Sequence, residues 1–123
     1  MNVLDLFSGC GGISLGFKLA GFNISGGVDI DPDSIKTFQK NFPKSKAICE
    51  SLLEYSDEKI IEDFGGEEID IVVGGPPCQG HSDLNNHSRR DDVRNELYMR
   101  MTRFIEITKP KIAIIENVLA VRR

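Results

Sequence analysis

Four short segments carry residue types that do chemistry, and each follows a stretch that reads as a strand. Cys78 sits in the turn Gly74-Gly75-Pro76-Pro77-Cys78-Gln79-Gly80, directly after Ile69-Asp70-Ile71-Val72-Val73. A free thiol is only a few per cent thiolate at neutral pH, yet it is intrinsically a strong nucleophile. Most lone cysteines in apolar surroundings are inert packing, but a Gly/Pro turn fixes the direction of this one and leaves the loop beyond it open to a substrate. Glu116, in Glu116-Asn117-Val118, ends the run Ile112-Ala113-Ile114-Ile115. Alone it could equally be a helix-capping carboxylate. The turn Ser8-Gly9-Cys10-Gly11-Gly12 follows Val3 to Phe7, and a glycine-rich turn between a first strand and a first helix lets backbone approach a ligand closely. Asp29, after Phe22 to Val28, is placed to accept hydrogen bonds from ribose hydroxyls. The glycine spacing departs from GxGxxG, because Gly11 and Gly12 arrive too early.

Positioning these groups requires strands that alternate with helices. Val3 to Phe7 predicts a first strand, and Ile13 to Ala20 a helix closed by Gly21. Phe22 to Val28 predicts a second strand. Asp31-Pro32 starts a helix, with Asp as cap and Pro at its first position, and Ile35, Phe38 and Phe42 share its face. Lys46 to Cys49 is a weak third strand. Ser56 caps a helix that runs to Phe64 and closes at Gly65-Gly66. Ile69 to Val73 is a buried fourth strand. Val93, Leu97, Met101 and Phe104 then fall on one face of a long helix, and Lys111 to Glu116 is a fifth strand. Such alternation implies βαβ units and a mostly parallel sheet. Ligands of open parallel sheets bind at the carboxyl ends of the strands. Asp29, Cys78 and Glu116 all fall there, so one site with a cofactor half and a nucleophile-plus-acid half is expected. The polar stretch from Gln79 to Asp92 is long for a compact domain and is expected to be functional or mobile.

Length and composition narrow the class. A chain of 123 residues fits one domain, and 40% hydrophobic residues suffice for a core. No apolar run approaches the roughly eighteen residues of a membrane span, and no signal-like amino terminus is present. Three cysteines without metal spacing, Cys10, Cys49 and Cys78, argue against a disulfide framework or a zinc site. The expected setting is reduced, intracellular and cytoplasmic. The net charge of −4 is asymmetric: residues 1–86 hold 6 Lys/Arg against 14 Asp/Glu, and residues 87–123 hold 9 against 5. Overall acidity disfavours a free-standing nucleic-acid binder, while the basic end can still meet phosphates.

Together these segments resemble a known family. Asp5-Leu6-Phe7-Ser8-Gly9-Cys10-Gly11-Gly12, Gly75-Pro76-Pro77-Cys78-Gln79-Gly80 and Glu116-Asn117-Val118 are similar to the cofactor, nucleophile and glutamate motifs of cytosine-C5 DNA methyltransferases, in the same order and spacing. Asp92-Val93-Arg94-Asn95-Glu96-Leu97 resembles the motif between the last two.

The resemblance implies a Rossmann-like S-adenosylmethionine-dependent fold, with flanking helices on a mostly parallel sheet. It implies S-adenosylmethionine as cofactor and double-stranded DNA with a flipped cytosine as substrate. By matched position, Phe7 and Ile30 lie against the adenine. Ser8, Gly9, Gly11 and Gly12 surround the methionine part, Asp29 holds the ribose, and Leu52, Pro77 and Leu97 line the cofactor cavity. Cys78 attacks C6 of the base, and Glu116 bonds the N3 side of the ring. The base must leave the stack because its reacting atoms are closed off in a duplex. Residues 79–92 are expected to close over DNA, with Arg89, Arg90 and Arg94 on phosphates.

Three departures from the family pattern stand out. His81 follows Gly80 where the family often has Phe. Ser51, preceded by Glu50, holds the place of an adenine-contacting Asp. The later arginine-bearing motif, target-recognition region and C-terminal helix of the family find no counterpart before Arg123. A chain truncated after about the fifth strand is expected to be the amino-terminal part (residues 1–123) of a catalytic domain: a fragment, a prematurely ended gene or one half of a split enzyme. Its bare apolar sheet edge would then seek a complementary chain or a second copy. Two other readings are an inactive fragment that only binds cofactor or a partner, and an unrelated nucleotide-binding oxidoreductase. A tRNA cytosine is an alternative substrate.

Overall fold

A computed structural model describes residues 1–77 and 93–117. Its elements follow the order β1 (Asn2–Leu6), α1 (Gly12–Leu19), β2 (Asn23–Asp29), α2 (Pro32–Asn41), β3 (Lys46–Cys49), α3 (Asp57–Phe64), β4 (Ile71–Gly74), α4 (Val93–Thr108) and β5 (Ile112–Ile115). The five strands form one parallel sheet in the order β3-β2-β1-β4-β5. Helix starts obey the capping chemistry expected of them. Asp31 accepts from Ser34 N at 2.9 Å with Pro32 in the first turn, and Ser56 Oγ accepts from Lys59 N at 3.3 Å.

Side-chain alternation along the strands divides the core into two layers. Leu4, Leu6, Val28 and Val72 face α3 and α4, where they meet Tyr55, Ile60, Phe64, Met101 and Phe104. Val3, Ile24, Ile71 and Val73 face the other way, against Phe38, Phe42 and the half-buried Phe17. Removing side chains of this size from water contributes about 2 kcal/mol each. Gly27 is needed for the second layer to close. A Cβ there would lie 2.5 Å from the Phe38 ring and 2.8 Å from Ser8 Oγ.

The register brings the carboxyl ends of the strands level. Leu6 pairs with both Val28 and Gly74, Gly74 pairs with Ile115, and Asp29 pairs with Cys49. Backbone bonds carry the pairing one step further: Ser8 N donates to Val28 O, Glu50 N to Asp29 O and Glu116 N to Gly74 O, at 2.9–3.0 Å. Phe7, Asp29, Glu50, Gly75 and Glu116 therefore emerge along a single edge. The chain winds from β1 outward to β2 and β3, then crosses to β4 and β5 on the other side. The loops after β1 and β4 consequently diverge at a topological switch point, where such sheets open a crevice.

Every strand but β3 differs from expectation by one or two residues at its ends, and two of these shifts have a clear cause. Strand β2 continues through Asp29, because its register with β3 extends to the Asp29–Cys49 pair. Strand β4 starts at Ile71 and not at Ile69, because Asp70 is bonded irregularly. Its N–H donates to Asn2 O, its carbonyl accepts from both Lys111 N and Ile112 N, and its carboxylate takes Asn2 N and Lys111 Nζ. Among the described residues β5 pairs with β4 alone, and Ile112, Ile114 and Ile115 are 45%, 39% and 47% exposed. No described helix is long and apolar enough to cross a membrane.

Candidate active site

The turn between β1 and α1 is built from left-handed backbone. Phe7, Gly9 and Gly11 have φ of 63°, 52° and 94°. The glycines adopt this region without penalty, whereas Phe7 is an uncommon non-glycine case. Gly11 is the N-cap of α1 and supplies no side-chain cap. The first N–H groups of a helix lack partners within it and favour negative or electron-rich ligand atoms. Among the described residues, nothing lies within 4 Å of where a Cβ on Gly9 or Gly12 would stand, so none of them fills the space beside the turn at either glycine. Ser8 is buried, and its Oγ has no hydrogen-bond partner among the described residues.

Beneath the turn, fully buried Asp5 ties β1 to α1. Its Oδ2 accepts from Ser14 Oγ at 2.6 Å and Ser14 N at 3.2 Å, while Oδ1 has no partner among the described residues. Burial raises its pKa from 3.8 to about 6, against the opposing Ser14 bonds, and the Asp29 charge adds to the rise. The folded state therefore holds the Asp5 proton more tightly than the unfolded chain does. Its contribution to stability is complete below pH 4 and is lost as pH rises through 6, about 3 kcal/mol in all. Asp5→Asn keeps an acceptor for Ser14 and is expected to remove this part of the pH dependence. Denaturant titrations of both proteins at pH 5 and pH 7 check it; an unchanged difference between the two pH values would refute the assignment.

Asp29 closes the other side of the turn. Its Oδ2 accepts from Gly9 N and its Oδ1 from Asp31 N, at 2.8 and 2.9 Å. Each bond leaves a further lone pair on its oxygen. The carboxylate is therefore held in orientation and can still accept from a diol. Next to it Ile30 is 68% exposed, an apolar surface beside a polar anchor. Phe7 is half-buried and packs on the α3/α4 layer.

Across the switch point, Glu116 lies against the turn after β4. A Cβ on Gly75 would stand 3.0 Å from Glu116 Oε2, so the glycine leaves the carboxylate room there. Asn117 Nδ2 donates to the Tyr98 hydroxyl and joins this loop to α4. Pro76 is buried and Pro77 exposed. Leu97 is half-buried against the α3/α4 layer. Leu52 is 3% exposed within that same layer, so what it can offer a ligand is its backbone more than its side chain. The structure thus brings Phe7, Ser8, Gly9, Gly11, Gly12, Asp29, Ile30 and Glu116 to one edge. Cys78, His81, Arg89, Arg90 and the rest of residues 78–92 lie outside the described residues, as does the Arg94 side chain.

A parallel sheet of this order, with a glycine turn and a strand-end aspartate at its switch point, defines the chain as a Rossmann-like α/β domain. The C-5 cytosine-specific DNA methylase family model matches residues 1–123, and the chain belongs to that family. It is 39% identical over 120 residues to the type II methyltransferase M1.HphI of Haemophilus parahaemolyticus, covering 96% of this chain and 32% of that protein. To M1.BsuMI of Bacillus subtilis it is 40% identical over 133 residues, covering 96% and 31%. A crystal structure of a prophage-encoded Escherichia coli protein, assigned as a DNA modification methyltransferase, superposes with a TM-score of 0.84 at 40% identity. That match covers 100% of this chain and 33% of the other. The chain thus spans about a third of the length of these relatives. Spodoptera frugiperda DNMT2 shares the fold, with a TM-score of 0.70 at 22% identity over 98% of this chain and 36% of its own.

Proposed function

We propose that this chain is the cofactor-binding and base-activating part of an S-adenosylmethionine-dependent DNA cytosine-C5 methyltransferase. The observation that carries the reading is the level row of strand ends. It sets the glycine turn and Asp29 on one side of the switch point and Glu116 on the other, with Pro76 and Pro77, which precede Cys78 in the sequence, continuing from β4. The edge suits the cofactor. The oriented Asp29 carboxylate has acceptor capacity for a ribose diol, exposed Ile30 and half-buried Phe7 offer apolar surface to an adenine, and no described residue fills the space beside Gly9 and Gly12. When bound, S-adenosylmethionine supplies an electrophilic methyl group.

The chain's own residues prepare the base. Carbon 5 of cytosine is a poor nucleophile. In this reading the Cys78 thiolate bonds to C6, and the ring electrons displaced by that bond make C5 reactive. Glu116 bonds the N3 side of the ring, where negative charge develops. After C5 has been methylated, loss of its proton returns the electron pair, breaks the C6–S bond and frees Cys78. Residues 79–92 close over the DNA, and Arg89, Arg90 and Arg94 meet phosphates. The enzyme works inside the cell.

The exposed isoleucines of β5 favour completion by further polypeptide, whether continuous, a complementary chain or a second copy. DNA is preferred over tRNA because the relatives near 40% identity are type II methyltransferases, whereas the DNMT2 likeness carries the fold alone.

Calorimetric titration with S-adenosylmethionine tests the cofactor half. Asp29→Ala removes the bond to Gly9 N along with the ribose anchor, and is expected to weaken binding by about tenfold to a hundredfold. Equal affinity in the folded variant would sink the cofactor reading. No binding by the folded unmodified chain would likewise overturn the reading of this chain as a cofactor-binding part.

A further inference from the structure

Arg100 occupies an unusual place on α4. Its Nε donates to Leu52 O at 3.1 Å and its Nη2 to Tyr55 O at 2.6 Å, both partly buried. These carbonyls belong to the turn between β3 and α3, in which Glu54 N and Tyr55 N both donate to Ser51 O at 3.0 Å. The turn begins at Glu50, whose N–H is bonded to Asp29 O. It is therefore the wall next to the ribose anchor. The buried side chains of Leu52 and Tyr55 hold it from below, and Tyr55 OH is bonded to Asp63. Arg100 holds it from the side.

A guanidinium suits this task because its rigid fork reaches two acceptors at once, which an ammonium does less well. Helix α4 also carries Leu97 one turn earlier, and its Tyr98 is bonded to Asn117 beside Glu116. One helix thus joins the β3–α3 turn to the Glu116 loop. Arg103, a turn further on, bonds Asp57 and Glu106 through side chains, with its own side chain 46% exposed. It docks α4 on α3 without touching the turn's backbone.

We infer that Arg100 is a positioning residue for the adenosine end of the cofactor groove, fixing the Glu50–Tyr55 turn to α4 so that the groove's two sides hold one spacing. The inference rests on the cofactor reading above. The test titrates the full chain and its Arg100→Gln, Arg100→Lys and Arg103→Gln variants with S-adenosylmethionine and, separately, with adenosine. Amide hydrogen exchange is followed at Ser51–Tyr55 in each.

Arg100→Gln is expected to weaken both ligands about tenfold and to speed exchange in the turn while the sheet stays protected. Arg100→Lys regains part of both effects, and Arg103→Gln stays within about twofold of the unmodified chain. Unchanged affinity in Arg100→Gln, or in Arg100→Lys should the first variant not fold, overturns the inference and leaves the cofactor reading standing. Exchange that does not quicken at Ser51–Tyr55 overturns it as well. Failure of the unmodified chain to bind either ligand removes the cofactor reading and this inference together.

Discussion

Replacing Cys78 with serine in the complete enzyme is expected to lower methyl transfer by roughly 10⁴- to 10⁶-fold, the range seen when a covalent nucleophile is lost. The hydroxyl is a far weaker nucleophile at neutral pH than a thiol in equilibrium with its thiolate. Without addition at C6, carbon 5 has no electron density to offer an electrophilic methyl group. Cofactor affinity should remain within about twofold, because the anchor at Asp29 and the turn at Gly9 stand across the switch point from the end of β4. A DNA duplex carrying 5-fluorocytosine gives a second readout. Fluorine cannot leave C5 as the proton does, so the C6–S bond persists and the protein migrates with the DNA in denaturing gels. The serine variant should give no such band. A band of normal intensity would show that another residue is the nucleophile.

Glu116→Gln is the second large effect, a loss of about 10² to 10⁴ in transfer rate. The carboxyl group is expected to stabilise the ring as charge develops at N3. An amide of the same shape can donate one hydrogen bond there, but it cannot transfer a proton. Its position is well suited to the change, since Gly75 lies beside Oε2 and leaves space for an isosteric group. Burst kinetics with the fluorinated duplex separate this variant from the cysteine one: adduct should form slowly with glutamine and not at all with serine. Adduct formation at the unmodified rate would assign Glu116 to a structural role.

Much of the architecture was legible because local chemistry and tertiary packing agree. Asp31-Pro32 and Ser56 start helices as their capping chemistry demands. Ile35, Phe38 and Phe42 are buried from one helical face, and Met101 and Phe104 from another. Lys46 to Cys49 pairs as the third strand over the expected residues. The ends of β2 and β4 were displaced by up to two residues, because Asp29 joins the ladder with β3 and Asp70 bonds to Asn2 and Lys111 across the foot of the sheet. Neither partner set has a local signature.

Residue types and order determined that an acid and a glycine turn must stand at strand ends, since those ends follow from where the apolar runs stop. Which ends are neighbours was decided by the tertiary structure. The order β3-β2-β1-β4-β5 sets the Gly9 turn between Asp29 and Glu116, and sequence spacing carries no measure of that adjacency. The same holds for Asp5 and Ser14. A carboxylate between Leu4 and Leu6 signals an unusual strand, but its partner nine residues on is chosen by how α1 packs on β1. Arg100 is the extreme case. It looks like any helix-surface cation in the sequence, and its two carbonyl partners, 48 and 45 residues away, are set by the docking of α4 beside the β3–α3 turn.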